Sequence, residues 1–153
     1  MNEKTTQVLE LHKILEQLAR HTTFSAGAQL ALELRPSVSL EEARLLQRET
    51  AEARLIFANQ VNMTLGGARD VRDPAISAQR GIMIEASVLL DIRHTLRRAS
   101  TIKRTLGRMK GQYPLLADVA AELEECTALQ EEIARVLDDN AVIKDSASPA
   151  LAT

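Results

Sequence analysis

Aromatic residues are almost absent from this 153-residue chain, which has no tryptophan, one tyrosine and two phenylalanines. Glycine and proline are also scarce, with six and four residues. β-Sandwiches and β-barrels build their strands from aromatic and β-branched residues, and glycine and proline disfavour helix interiors. Since 45% of the residues are nevertheless apolar, the chain can build a core, and its composition predicts an all-α fold.

Cysteine and long apolar runs are scarce as well. The single cysteine, Cys126, cannot form an internal disulfide, and a free thiol is typical of a reducing compartment. Its neighbours Glu124 and Glu125 disfavour a thiolate, which argues against a reactive role. No apolar run approaches the roughly 18 residues of a membrane span, and the N-terminus lacks the apolar region of a signal peptide. These absences predict a cytoplasmic protein with no membrane partner.

Apolar periodicity and capping signals divide the chain into helices. The predicted helices cover residues 11–21, 25–34, 40–58, 84–109, 115–125 and 127–137, with short ones at 5–9 and between Pro74 and Gly81. Ser25 is expected to cap the second helix, and Ser39 with Glu42 has the spacing of a capping box. The stripe expected to face the core on helix 40–58 is Ala43, Leu46, Thr50, Ala53 and Phe57. These signals predict one helical unit over residues 1–153.

Near the C-terminus the pattern changes. Ala141-Val142-Ile143-Lys144 is the one β-like run in a helical neighbourhood, and it predicts a short extended segment over residues 141–144. Ser148 followed by Pro149 is then typical of a helix start. Because that helix has barely begun at Thr153, we expect this chain to be the first segment of a longer protein, with scaffold and contacts rather than chemistry in its own residues.

The charge is balanced overall but unevenly distributed. A net charge of −2 indicates neither a nucleic acid nor a membrane by itself. Residues 92–117, however, contain seven Lys or Arg and no acidic residue, whereas residues 118–139 contain eight acidic residues and one arginine. On the helix predicted at 84–109, four arginines form a narrow stripe nearly opposite the apolar face: Arg93, Arg97, Arg104 and Arg108.

This arginine stripe has two interpretations. As a functional surface it contacts nucleic-acid phosphates, because arginines release counterions from the backbone; Arg93, Arg97, Arg104 and Arg108 are then the candidate contacts. As a structural surface it is a solvated helix face, paired with the acidic helices that follow. Runs of charge are more often of the second kind, and no aromatic residues are interleaved to stack bases.

No catalytic constellation is recognisable. Gly66-Gly67 lacks the lysine and hydroxyl residue of a phosphate-binding P-loop, so an ordinary turn is the better interpretation. His12, His21 and His94 are scattered without the short ligand spacing of a zinc site. No serine lies in a Gly-x-Ser-x-Gly motif. The sequence therefore predicts no catalytic, cofactor-binding or metal-binding residue in this chain.

The order of several short stretches resembles the N-terminal part of the bacterial MutS-II proteins, the branch of the MutS ATPases without the mismatch-reading domain. No single stretch is decisive, but the ordered set covers essentially the whole chain. The stretches are Val8-Leu9-Glu10, Lys13-Ile14-Leu15, Leu34-Arg35-Pro36-Ser37, Glu49-Thr50-Ala51-Glu52-Ala53, Leu65-Gly66-Gly67-Ala68-Arg69-Asp70-Val71, Leu89-Leu90-Asp91-Ile92 and Asp145-Ser146-Ala147-Ser148-Pro149-Ala150-Leu151.

The resemblance implies a core or lever segment of a homodimeric ATPase. In that family, two long helices project from the core as a clamp, and the ATPase and usually an Smr nuclease follow. ATP and Mg²⁺ are then cofactors of the ATPase beyond Thr153, not of this chain. The family is associated with branched DNA, with restraint of homologous recombination and with splitting of stalled ribosomes. Branched DNA, ribosomal RNA and the rest of the parent chain are the implied partners.

Two alternatives remain open beside this scaffold role. One is a stand-alone helical module that binds nucleic acid through the arginine stripe. The other is an adaptor whose acidic segment, residues 118–139, binds a basic partner or the chain's own basic helix.

Overall fold

The chain folds into α-helices joined by loops. A computed structural model describes residues 8–63 and 65–148. Within those ranges it contains seven α-helices, one 3₁₀ turn and a single isolated β-bridge, which confirms the predicted all-α class. The helices are α1 Leu11–Arg20, α2 Ser25–Glu33, α3 Leu40–Ala58, α4 Arg72–Gln79, α5 Ala86–Arg108, α6 Pro114–Ala121 and α7 Thr127–Val136, and the 3₁₀ turn is Asp145–Ala147.

The ends of the predicted helices match these bounds to within a few residues. Exceptions concern the chain termini: most of the helix predicted at 5–9, and the helix start expected at Pro149, lie outside the described residues. Gly81, with φ +75°, lies just beyond α4. A left-handed residue shortly after the last helical one is typical of a helix end, so Gly81 terminates α4 as predicted.

The start of α3 is capped by its own sequence. Ser39 Oγ accepts a hydrogen bond from the Glu42 amide at 3.3 Å, as a capping box requires. The second bond of a capping box, from the Ser39 amide to the Glu42 carboxylate, runs through Ser37. Ser37 Oγ accepts from the Ser39 amide at 3.1 Å and donates to the Glu42 carboxylate. The predicted cap at Ser25 is wrong, because Phe24 occupies the N-cap position of α2 and Ser25 is already helical.

The long helix α5 packs against both α6 and α7, while α3 packs against α6. Two buried clusters lie along it. The first contains Ile56, Leu106, Tyr113, Ala117 and Ala120. The second contains Leu90, Ile133 and Leu137. Because α5 contributes to both clusters, it connects α3 and α6 at its C-terminal end with α7 at its N-terminal end.

The predicted core stripe of α3 is largely wrong. Phe57 is 81% exposed and Leu46 is 47% exposed, whereas Ile56 is buried at 3%. Apolar residues lie on several sides of this helix, so the helical period alone does not select a face. Contact with α6 selects the face that carries Ile56.

The extended segment predicted at 141–144 is confirmed around Ile143, after a tight turn that follows α7 and contains Ala141 with φ +63°. Leu137 and Ile143 form an antiparallel bridge, and Lys144 N donates to Val136 O at 2.9 Å. The Asp138 carboxylate accepts hydrogen bonds from the Asn140 and Val142 amides at 2.9 and 2.8 Å. The bond from Val142 is the main cause that lowers the pKa of Asp138 below its ordinary value.

The first two helices form a hairpin in which α1 packs on α2. The Arg72 guanidinium, at the start of α4, donates to Gln29 Oε1 on α2 at 3.0 Å. The organisation of residues 1–153 as one unit stays a prediction.

None of the helices in the described ranges is long and apolar enough to cross a membrane.

Candidate nucleic-acid interface

Three of the four predicted contact arginines form an exposed line along α5. Arg97, Arg104 and Arg108 are separated by seven and four residues, which places them within about 40° of one another around the helix axis. All three are exposed, and their guanidinium groups make no hydrogen bond or ion pair with any residue in the described ranges. We call these three residues the basic face.

The basic face has the dimensions of a short phosphate run. Eleven residues of helix separate its two ends, a rise of about 16 Å. One strand of B-DNA carries a phosphate about every 3.4 Å along its axis, so this length corresponds to about five phosphates. The face can therefore follow a strand across several phosphates.

Arg93, the fourth predicted contact, is placed differently. Its Nη1 atom lies 3.3 Å from an Asp139 carboxylate oxygen, and its side chain is 14% exposed while that of Asp139 is 87% exposed. The charge is thus paired and largely covered. The nucleic-acid contact of all four arginines stays a prediction, but the geometry separates Arg93 from the basic face.

Other cations of the basic segment also contact the acidic segment. Lys110 Nζ lies 2.7 Å from Asp118 Oδ1, and Lys103 Nζ donates to Leu123 O at 2.8 Å. Exposed ion pairs are worth about 0.2–1 kcal/mol, so Lys110–Asp118 adds little stability. Lys103 lies on α5 and Lys110 lies two residues beyond its C-terminal end. Both contacts support the interpretation in which the acidic segment pairs with the chain's own basic segment, residues 92–117.

A loop packs against α5 beside the basic face and closes a groove. Leu65 O accepts from Ala68 N at 3.0 Å, which makes residues 65–68 a β-turn. Its third residue, Gly67, has φ +84°, a value that type II turns require and that glycine adopts without strain. The groove between this turn and α5 has a volume of about 390 Å³ and is lined by Gly66, Gly67, His94, Arg97, Arg98 and Thr101. We call it the Gly66–Gly67 groove.

Hydrogen bonds hold this loop on the helix. Arg69 N donates to Thr95 Oγ1 at 2.9 Å, and Thr95 Oγ1 donates to Arg69 O at 3.3 Å. Arg98 Nε donates to Gly66 O at 3.2 Å. The structure confirms a turn at Gly66-Gly67. It adds that this turn lies against a basic helix, a contact that no local sequence motif predicts.

The acidic and thiol side chains do not gather into a metal-binding group. Among residues 8–63 and 65–148, no three His, Cys, Asp or Glu side chains are placed to hold a metal ion together. Cys126 is exposed and occupies the N-cap position of α7 with a left-handed backbone. The predictions of no catalytic, cofactor-binding or metal-binding residue stay predictions.

Glu52 has a structural role that the sequence did not predict. The Glu52 carboxylate on α3 accepts from the Leu115 and Leu116 amides at 3.2 and 2.9 Å, and so caps the N-terminus of α6. The available signal was weak: Glu52 lies four residues before Ile56 and shares its face, and α6 starts at Pro114 without a capping side chain of its own.

The molecule is thus an all-α segment built around one long helix with an exposed basic face. No model of a protein family matches the chain. It is 36% identical over 155 residues to Endonuclease MutS2 of Shouchella clausii, a match that covers 99% of this chain and 20% of the relative. Endonuclease MutS2 of Symbiobacterium thermophilum is 34% identical over 152 residues, with 99% and 19% covered. That of Bacillus cereus strain Q1 is 33% identical over 154 residues, with 99% and 20% covered.

These matches confirm the resemblance to the MutS-II family. The chain is homologous to a segment of the MutS2 proteins, and it spans about one fifth of the length of the curated relatives that it matches. The match is consistent with their N-terminal segment.

Proposed function

We propose that this chain is the N-terminal structural segment of a MutS2-like protein, in which it couples an ATPase to a clamp that grips nucleic acid. The observation that carries the proposal is the match to Endonuclease MutS2 over 99% of the chain. In the whole protein, ATP and Mg²⁺ bind outside this segment, two copies pair, and the endonuclease named in the relatives acts on branched DNA or on stalled ribosomes. Restraint of homologous recombination and ribosome splitting are the roles of that parent.

The packing of α5 suits a mechanical role. This helix joins two separate buried clusters, one around Leu106 and one around Leu90, and these two residues lie about 24 Å apart along the axis. A helix fixed at both ends moves as a rigid rod, because interiors are close-packed and bending it disturbs the packing at each end. Displacement at one cluster is therefore passed to the other.

A scaffold segment has no turnover of its own. The purified chain, mixed with ATP and Mg²⁺ and separately with branched DNA, is expected to release no phosphate and to cut no strand above a mock-purified control. Phosphate release or strand cleavage that co-purifies with the chain through two further columns would contradict the scaffold proposal.

A second function, direct contact with nucleic acid, is favoured by the exposed and unpaired state of Arg97, Arg104 and Arg108 within the described residues. Three neutralised phosphates give a slope of about −2.7 in log affinity against log salt on B-DNA. Affinity is then expected to fall about 40-fold between 50 and 200 mM salt. Fluorescence anisotropy with a four-way junction, a plain duplex and a structured RNA measures this slope and ranks the branched-DNA and ribosomal-RNA partners.

A charge-matched control makes this test specific. Arg97, Arg104 and Arg108 are replaced by Glu in one variant, and the exposed α3 arginines Arg44, Arg48 and Arg54 in the other. Both variants change the net charge by the same amount. Two glutamates, Glu49 and Glu52, lie between the α3 arginines Arg48 and Arg54, whereas the basic face has no acidic residue between its members. Loss of binding in the first variant only is the expected result. Equal loss in both would show a general charge effect and refute the basic face as a contact.

Arg93 gives a further control within α5. Because its charge is already paired with Asp139, Arg93→Gln is expected to change the affinity less than twofold. If Arg93→Gln lowers the affinity for nucleic acid as much as Arg97→Gln does, Arg93 also contacts the nucleic acid.

A further inference from the structure

We propose that the Gly66–Gly67 groove is a binding site for a phosphate group. The site adjoins the basic face and deepens the proposed nucleic-acid contact, on which its biological meaning rests. The shared chemistry is a phosphate oxyanion, supplied either by the diester backbone of a nucleic-acid strand or by a free phosphate.

Two guanidinium groups provide the charge. Arg97 and Arg98 are consecutive residues of α5 and both line the groove. Arg97 is exposed and its side chain has no partner among the described residues. Arg98 Nε donates a hydrogen bond to Gly66 O at 3.2 Å, and the two Nη atoms of Arg98 make no hydrogen bond to a described residue. Guanidinium groups with free N–H donors bind phosphate in the same geometry as they bind carboxylate.

The Arg98 bond to Gly66 also fixes this guanidinium before a ligand arrives. A side chain that is already held in one rotamer loses less conformational freedom on binding. The Thr95–Arg69 hydrogen bonds hold the other end of the loop. The groove is therefore preorganised rather than formed by the ligand.

Among the described residues, no opposing charge lines the site. The described residues that line it comprise two glycines, a histidine, two arginines and a threonine, with no carboxylate among them. Two nearby carboxylates engage other cations: Asp91 Oδ1 on α5 lies 4.0 Å from Arg69 Nε, and Asp70 pairs with Arg72. Two cations without a local counter-ion in a concave site concentrate the field and attract an anion.

Thr101 allows a test that leaves both arginines intact. Its hydroxyl is exposed and donates only to Arg97 O within the same helix at 2.8 Å, so replacement is expected to leave the fold unchanged. Thr101→Glu places a carboxylate in the groove, while Thr101→Gln is the neutral variant of the same size. An added negative charge a few ångströms from the ligand is expected to weaken phosphate binding about tenfold.

The experiment is a ¹H–¹⁵N NMR titration of the full chain at constant ionic strength, with inorganic phosphate against chloride, and with a short oligonucleotide that lacks terminal phosphates. Saturable shifts of the Gly66 and Gly67 amides with phosphate are expected in the natural protein. Phosphate is expected to bind about tenfold more weakly to Thr101→Glu than to Thr101→Gln, two variants that differ only in the charge. Shifts with the oligonucleotide as well identify the backbone as the source, and shifts with phosphate alone identify a free phosphate. Unsaturable shifts, equal shifts with chloride, or equal affinity in Thr101→Glu and Thr101→Gln would overturn the site.

The two proposals fail separately. If the chain binds no junction, duplex or RNA but still shows the phosphate-induced shifts, the proposed nucleic-acid contact is rejected and the groove remains a phosphate site. The opposite outcome is nucleic-acid binding that depends on salt, Arg104 and Arg108 and keeps the same affinity in Thr101→Glu. That result rejects the groove as a phosphate site and retains the basic face as the nucleic-acid contact.

Discussion

The capping of α6 by Glu52 gives the sharpest test of how this fold is held together. α6 begins at Pro114, which has no N–H, so the first amides that need a partner are those of Leu115 and Leu116. Both donate to the Glu52 carboxylate, at 3.2 and 2.9 Å, and this carboxylate lies 63 residues earlier on α3. Glu52→Ala therefore removes both acceptors together and leaves two partly buried amides without them.

The magnitude follows from these two bonds. Hydrogen bonds to a charged group contribute about 1.5–3 kcal/mol each, and a carboxylate at a helix N-terminus adds about 0.3–1 kcal/mol. Both amides are only partly buried, so water replaces some of the lost bonding and the net loss falls below the sum of these contributions. We expect Glu52→Ala to lower the free energy of unfolding by about 2–3 kcal/mol, which for a chain of this length lowers Tm by about 4–12 °C. Glu52→Gln keeps one acceptor and is expected to lose about half as much.

Urea unfolding followed by circular dichroism measures the free energy, and hydrogen exchange of the Leu115 and Leu116 amides measures the cap itself. Glu131→Ala is the matched control, because Glu131 is an exposed glutamate on α7 and its replacement is expected to change stability by less than about 0.5 kcal/mol. If Glu52→Ala behaves like Glu131→Ala, or if the two amides exchange no faster, the carboxylate does not hold α6 and the reasoning is refuted.

Two further predictions concern one ion pair and one buried hydroxyl. The side-chain hydrogen bond from Arg72 lowers the pKa of Asp70 to about 2. The ionised carboxylate therefore stabilises the folded state, and this contribution is fully present above about pH 4 and is lost as the pH falls toward 2. Arg72→Gln is expected to move the Asp70 carboxyl titration, followed by ¹³C NMR, toward 3.8 without reaching it, because the backbone amide of residue 72 still donates; an unchanged midpoint contradicts this. Tyr113, 2% exposed, accepts a hydrogen bond from Asn59 Nδ2 at 2.9 Å, so Tyr113→Phe is expected to lose about 0.5–1.5 kcal/mol. When Asn59→Ala is already present, Tyr113→Phe is expected to lose much less stability, which a double-mutant cycle by urea unfolding measures. Additive losses from the two replacements would contradict the hydrogen bond.

Local features of the chain were predictable because they depend on neighbours in sequence. The bounds of α5, the cap at Ser39, the helix end at Gly81 and the extended segment at 141–144 all follow from helical period, capping chemistry and backbone preference. Each of these signals acts over a few residues. The match between the predicted and observed elements reflects this short range.

The candidate site was only partly predictable for the opposite reason. The helical period correctly aligns Arg97, Arg104 and Arg108, since their relative position is a property of one helix. It could not separate Arg93 from them, because the pairing with Asp139 spans 46 residues. Nor could it show that the turn at Gly66 lies against Arg98, a contact across 32 residues.

The sequence by itself thus determined the all-α class, the order and limits of the helices, and the alignment of cations along α5, because local backbone energetics and helical geometry decide these features. Only the tertiary structure decided which face of α3 is buried, which carboxylate caps α6, which arginines stay exposed and where the groove forms. These features depend on which surfaces meet, and that choice is made by burying the best-fitting apolar surface of the whole chain, a sum over distant residues that no local pattern contains.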